Sequence, residues 1–220
     1  MTKYWFYGEF FMEYVVAKTN LVNPDINSPE WEKAQIGFVD KEPWTEGLSK
    51  SPQTMFKMLR GPQGISVLMH TNETHLRSEH NKQNEAICQD SCMEFFFKPT
   101  PWDTRYLNFE VNPGGFMHLG IGQGRFDRIL IEEDRSTFSI VSIAKEGDWT
   151  LKFYIPDSFV RKYYPDVEKI PKGNFCSVAK GNFYKCGVYT DHPHYASWSA
   201  VETKKADFHL PDFFGKIVFQ

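Results

Sequence analysis

Residues 89–121, QDSCMEFFFKPTPWDTRYLNFEVNPGGFMHLGI, read as three consecutive antiparallel strands. The strands cover 90–98, 105–112 and 115–121, joined by a loop at 99–104 and a turn at Pro113 and Gly114, where Pro presets one dihedral and Gly tolerates the next. Strand side chains alternate between faces. One face collects Met93, Phe95, Phe97, Leu107, Phe109, Val111, Met117, Leu119 and Ile121. The other collects Cys92, Glu94, Phe96, Tyr106, Asn108, Glu110, Asn112, Phe116 and His118. Carboxylate, amide, imidazole and ring side by side make a surface able to hydrogen-bond a polar ligand. The same face also reads as a wet sheet surface, or as polar groups paired with one another, since antiparallel sheets commonly leave one face solvated.

Working outward, strand follows strand at turn-like spacing. Glu13–Lys18 is a strand, and a helical turn at 31–35 starts at Ser28 and Pro29, because Ser caps and Pro suits a first turn. A short strand lies at 36–40, and strands at 53–60 and 65–70 form a hairpin. A polar stretch, 71–85, borders a site or merely connects. Strands at 138–144 and 149–155 form another hairpin. A short helix from Asp157, taken as its cap, stops before Pro165. Further strands lie at 174–180 and 216–219. Gly120 to Arg125 is glycine-rich but lacks dinucleotide-loop spacing and a βαβ setting. The expected fold is all-β, a sandwich with one or two short helices.

The 220 residues fit one domain, 1–220, in which 1–12 read either as part of the fold or as an N-terminal extension. With 25 basic and 28 acidic residues and a net charge of −3, no basic run tracks a phosphate backbone, so nucleic acid is not the expected partner. No apolar run approaches the roughly 20 residues of a membrane helix, and no signal peptide is legible, so the expected setting is cytoplasmic. Cys88, Cys92, Cys176 and Cys186 are then expected as thiols. Their spacing, even with His192 and His194 nearby, is not that of a zinc finger or ribbon, and they read as buried structural residues.

Residues 90–97, DSCMEFFF, with 106–112, YLNFEVN, resemble the D-S-V-E and Q-F-x-V-N strands of family 9 carbohydrate-binding modules. Residues 149–156, WTLKFYIP, resemble that family's W-x-x-E/K-hydrophobic-I-P strand. Residues 182–219 resemble the C-terminal segment of its stand-alone members, ending in F-G-x-hydrophobic-x-F. The likeness spans roughly 13–219. It implies two antiparallel sheets, a mono- or oligosaccharide site on one face, and structural calcium. Enzyme-attached members hold sugar between two Trp rings beside a Glu. That Glu corresponds to Glu94, and the amide of the next strand to Asn108. One Trp position falls near Ile87 or Cys88 and the other near Phe208, so the paired-Trp clamp is not preserved. His192, His194 and Trp198 are candidate replacements, and Trp102 lies in a polar loop. For each the alternative is structural packing.

The leading functional expectation is non-catalytic carbohydrate binding in carbohydrate catabolism, through Glu94, Asn108, Glu110, His118, His192, His194, Trp198 and Phe208. The second is a glycoside hydrolase using Glu94 and Glu110, since such enzymes hold two carboxyls about 5 to 5.5 Å or about 6.5 to 9.5 Å apart. The third is a haem- or metal-binding sandwich using Met69, His70, Met117 and His118.

Overall fold

Alternating apolar residues close the molecule around one buried layer of rings. The computed structural model describes residues 12–166 and 178–219. The strands are β1 (Glu13–Lys18), β2 (Gly37–Phe38), β3 (Thr54–Gly61), β4 (Gly64–Thr71), β5 (Ser91–Lys98), β6 (Tyr106–Val111), β7 (Met117–Gly122), β8 (Ile129–Leu130), β9 (Val141–Lys145), β10 (Asp148–Pro156), β11 (Val178–Gly187), β12 (His194–Ser197) and β13 (Gly215–Phe219). A helix, α1 (Asp157–Tyr163), follows β10.

The first sheet runs β8-β7-β6-β5-β11-β13, with β12 against the distal half of β11. The second runs β3-β4-β10-β9, with β2 beside β3. Strand β1 joins them, pairing parallel with β13 through residues 13–16 and parallel with β3 through Ala17 and Lys18. The sandwich is therefore one curled sheet path. Its two β1 pairings are parallel, where two purely antiparallel sheets were expected.

The apolar faces of the central strands meet the second sheet in the main core. Phe183 of β11 stacks on Phe56 of β3 at 3.6 Å between centroids, and Phe95 stacks on Phe183 at 4.4 Å. Burying such rings contributes roughly 25 cal/mol per Å² of apolar area removed from water. Gly37 is required here, since a Cβ would lie 2.2 Å from the Phe56 ring. Tyr14 of β1 fastens the join: its hydroxyl donates to Gln35 O at 2.7 Å and accepts from Met58 N at 2.9 Å.

Four local expectations shift. The turn after β6 needs its positive φ at Gly115 (+72°), not Gly114, so β7 starts at Met117. Phe138 is not in a strand: Asp134 caps a 3-10 turn over Arg135–Phe138, and β9 begins after it. Asp157 does not cap α1; its carboxylate makes two hydrogen bonds with the Arg60 guanidinium, at 2.6 and 2.7 Å, tying the helix to β3. The strand expected at 174–180 continues to Gly187, while 174–177, with Cys176, and the N-terminal stretch 1–11 lie outside the described residues.

Candidate ligand pocket on the central sheet

The polar face of β5, β6 and β7 is not a flat solvated surface. Three segments roof it: residues around Trp44, the 3-10 turn Ile87–Gln89, and the long strap between β12 and β13. Trp44, Ile87, Val201, Phe208 and Phe214 pack there with Cys92, Phe96, Tyr106, Tyr184 and Cys186 into a second core. The stretch 71–85 does not line the pocket beneath this roof; its residues 72–75 line a separate cleft with His192 and His194. The middle of that stretch is held by buried Asp90, which accepts from the backbone N–H groups of Glu79 and His80 at 3.1 and 3.0 Å. The turn that carries Cys88 and Gln89 is closed by the Asp90 backbone N–H donating to Ile87 O at 3.0 Å.

The roof leaves a pocket of about 300 Å³, with Glu94, Glu110 and Cys186 on the inside and Cys88, Arg125, Tyr189, Tyr195, Asp207, Phe208 and His209 around it. That volume is at the small end of the ligand-pocket range, about 300–1,000 Å³. Glu94 is only 2% exposed and sits opposite Glu110 in the β5–β6 register. Asn108 Nδ2 donates to Glu110 Oε1 at 2.6 Å, while Asn108 Oδ1 is buried without a protein donor. Cys186 Sγ donates to Glu94 Oε1 at 3.1 Å. Burial, reinforced by Cys186 and Glu110, holds the Glu94 carboxyl well above the ordinary carboxylate range. A carboxyl held toward its neutral form offers a ligand one O–H to give and a carbonyl to accept.

The walls combine rings with polar groups. Phe208 stacks on Tyr184 at 4.0 Å and meets Tyr195 edge-on at 5.7 Å. The Tyr106 hydroxyl stands 2.8 Å from His209 Nδ1, and burial lowers the His209 pKa to about 2, so the ring is neutral. With the hydroxyl as donor, the ring keeps its proton on Nε2. Asp127 accepts from the backbone N–H groups of Gln123 and Gly124, at 3.0 and 2.7 Å, and so shapes the turn that delivers Arg125. The Arg125 guanidinium then donates to Asp207 at 2.8 Å. Gly120 leaves room for Asn108 and Arg128, since a Cβ would come within 2.9 Å of Asn108 Oδ1 and 3.1 Å of Arg128 Nη2.

The structure brings Glu94, Glu110 and Phe208 together at this pocket, with Asn108 hydrogen-bonded to Glu110 beneath it. His118, opposite Glu110 on β7, turns Nδ1 to Glu85 O at 3.0 Å. Trp198 lies elsewhere, 2% exposed in the main core, 5.6 Å from Phe56 and 6.3 Å from Tyr14 in edge contacts. His194 also faces inward, 3.1 Å from Lys185 Nζ, and Lys185 pairs with Glu73 at 2.8 Å. His192 and His194 line a separate cleft of about 280 Å³ with Ser49, Asn72 and His75. Trp102 is 53% exposed on its loop. Met69 and Met117 are buried in the main core, and His70 and His118 project from opposite sheets, so the four share no haem-binding face.

Arg125, Tyr195, Asp207, His209 and Cys186 were not singled out as site residues. Their convergence depends on contacts across 82 residues for Arg125 with Asp207 and 103 for Tyr106 with His209. The alternation 184/186 on β11 was the one local signal available for Cys186.

Among the described residues, the group of three metal-ligating side chains that converges is Cys92, Glu94 and Cys186. Two sulfurs do not suit calcium, which takes oxygen ligands. Cys88, Cys92 and Cys186 are free thiols.

The family described as "Carbohydrate-binding family 9" matches residues 26–219. The chain is similar, at 25% identity and TM-score 0.81, to an inferred carbohydrate-binding protein from Bacteroides uniformis, covering 96% of this chain and 100% of that one. It is also similar to a family 9 module from Caldicellulosiruptor kristjanssonii solved with glucose, at 14% identity and TM-score 0.64, covering 95% and 96% of the two chains. The same is true of a family 9 module from that organism solved with cellotriose, at 13% identity and TM-score 0.63, covering 95% and 94%. These last two likenesses establish the fold. No curated protein matches the chain significantly.

Proposed function

The chain belongs to carbohydrate-binding family 9, and on that premise we propose that it is a non-catalytic sugar-binding domain whose site is the pocket over Glu94. The observation that carries this reading is the pairing of polar floor with ring wall: Glu94 and Glu110 below, Tyr195, Phe208 and His209 around them. A pyranose presents hydroxyls at its rim and C–H patches on its faces. The hydroxyls match the carboxyls and imidazole, and the C–H patches match the rings. The small volume suits one sugar unit held inside, with any further units continuing outward past Tyr189. Affinity is expected to be modest, because each sugar hydroxyl exchanges one hydrogen bond with water for one with protein.

Calorimetric titration with mono- and oligosaccharides tests the reading, with gluco-configured sugars first, since the solved family 9 modules hold glucose and cellotriose. Saturable binding of one sugar class supports it. Absence of binding at millimolar concentration across a broad panel removes it. Glu94 and Glu110, side by side on one floor, also meet the residue requirement of a glycoside hydrolase. Aryl-glycoside turnover that is lost in Glu110→Gln would move the assignment to that class.

A further inference from the structure

We propose that Cys92, Glu94 and Cys186 form a binding site for zinc or a similarly thiophilic divalent ion on the floor of the pocket. Cys92 and Cys186 are direct cross-strand partners on β5 and β11, and Glu94 lies two residues along β5, on the same face. Their three donor atoms lie within 4.8 Å of one another, and all three side chains are buried. Zinc–sulfur bonds of about 2.3 Å and zinc–oxygen bonds of about 2.1 Å, at tetrahedral angles, place donors about 3.6–3.8 Å apart. The 3.1 Å from Cys186 Sγ to Glu94 Oε1 must open slightly, and no pair has to close by more than about 1 Å.

The donor set selects the metal. Thiolate with carboxylate suits zinc and its congeners, and neither calcium nor magnesium takes sulfur. The Arg125 guanidinium lines the same pocket but is paired with Asp207. Among the described residues, Glu94 has a thiol as its hydrogen-bond partner, and no Lys or Arg forms an ion pair with it. A divalent ion would take the place of protons on a floor where Glu94, Glu110 and two thiols crowd together. Entry is through the pocket, which Glu94 and Cys186 both line, and Cys88 stands at its edge. The fourth coordination position would point into the pocket, open to water or a sugar hydroxyl. Binding displaces the thiol protons of Cys92 and Cys186 and the carboxyl proton of Glu94, so apparent affinity should rise steeply with pH.

The test uses the full chain, reduced and freed of metal by chelation, titrated anaerobically with Co²⁺ as the spectroscopic probe and with Zn²⁺ in competition. The expected result is a thiolate-to-cobalt charge-transfer band, saturating at one equivalent and reversed by Zn²⁺. The band should weaken in Cys92→Ser and in Cys186→Ser and vanish in the double variant, with affinity in each single variant falling by more than the ~10–100-fold that loss of an outer-sphere partner costs. Cys88→Ser should keep it. Circular dichroism and melting curves check that each variant folds; should the single variants fail to fold, Glu94→Gln with its altered band serves instead. No charge-transfer band in the wild type, or an equal band in the Cys92→Ser/Cys186→Ser double variant, overturns the proposal. So does a Cys92–Cys186 disulfide that resists reduction. Sugar titrations run on the metal-free protein keep the two readings separate: sugar binding without a cobalt band sinks only the metal site, and a band without sugar binding sinks only the proposed function.

Discussion

Glu94 on β5 stands directly across from Glu110 on β6, two carboxyl groups on one buried floor, each held by a different neighbour. Glu110 is held by the Asn108 amide, and Glu94 by the Cys186 thiol. Burial, with Cys186 and Glu110 beside it, drives Glu94 toward its neutral form.

The pH dependence of stability should reveal this. A carboxyl whose pKa is higher folded than unfolded contributes its stability in full below the unfolded value, about 4.3, and loses it as pH rises toward the folded value. Glu94→Gln removes the titration while keeping the shape. Thermal melts should show little difference between variant and wild type near pH 4, and a higher midpoint for the variant at pH 8. A constant difference across that range would mean that Glu94 is not shifted upward.

Tyr195 forms pocket wall without belonging to the main core. Its ring meets Phe208 and Trp44 edge-on at 5.7 and 6.0 Å. Tyr195→Ala should weaken sugar binding about 2–10-fold, the worth of one aromatic contact of about 0.5–1.5 kcal/mol. Titration calorimetry checks it, and unchanged affinity would remove the ring from the site.

Trp198 should behave in the opposite way. Trp198→Phe opens space beside Phe56 and Tyr14 and should cost about 1–3 kcal/mol of stability. Sugar affinity of the folded fraction should stay at the wild-type value. A loss of affinity without a loss of stability would place Trp198 in the site.

The Arg60–Asp157 pair holds α1 against β3, with both side chains less than 10% exposed. Asp157→Asn removes the carboxylate charge that meets the buried Arg60 guanidinium through two hydrogen bonds, and denaturant unfolding should show a loss of about 3 kcal/mol. A loss below about 0.5 kcal/mol would show the pair to be as weak as a surface one.

The central strands were legible because their alternation is strict. Leu107, Phe109 and Val111 lie in the main core, while Tyr106, Asn108 and Glu110 lie on the far face. What alternation could not reveal is that the far face has a roof. Phe208 and Phe214 reach it from a strap with no strand period, and Cys186 reaches Glu94 only through the β11–β5 register. Trp198, close in sequence to His192 and His194, reads equally as a stacking ring or as core packing, and the structure takes it into the core. Its backbone N–H bonds Phe183 O at 2.9 Å just beyond β12, and its ring joins the core with Tyr14, Phe56 and Phe183. Arg125 sat in a glycine-rich stretch whose turn is set by Asp127, a feature that glycine spacing alone does not announce.

Calorimetric titration of the wild type and Glu94→Ala, against the sugar that binds the wild type best, tests the central claim most directly. The account predicts affinity at least about 10-fold weaker in the variant, the cost of losing a buried hydrogen-bonding group from the floor, with the melting transition still cooperative. Equal affinity in wild type and variant would contradict it and place any sugar site away from this pocket.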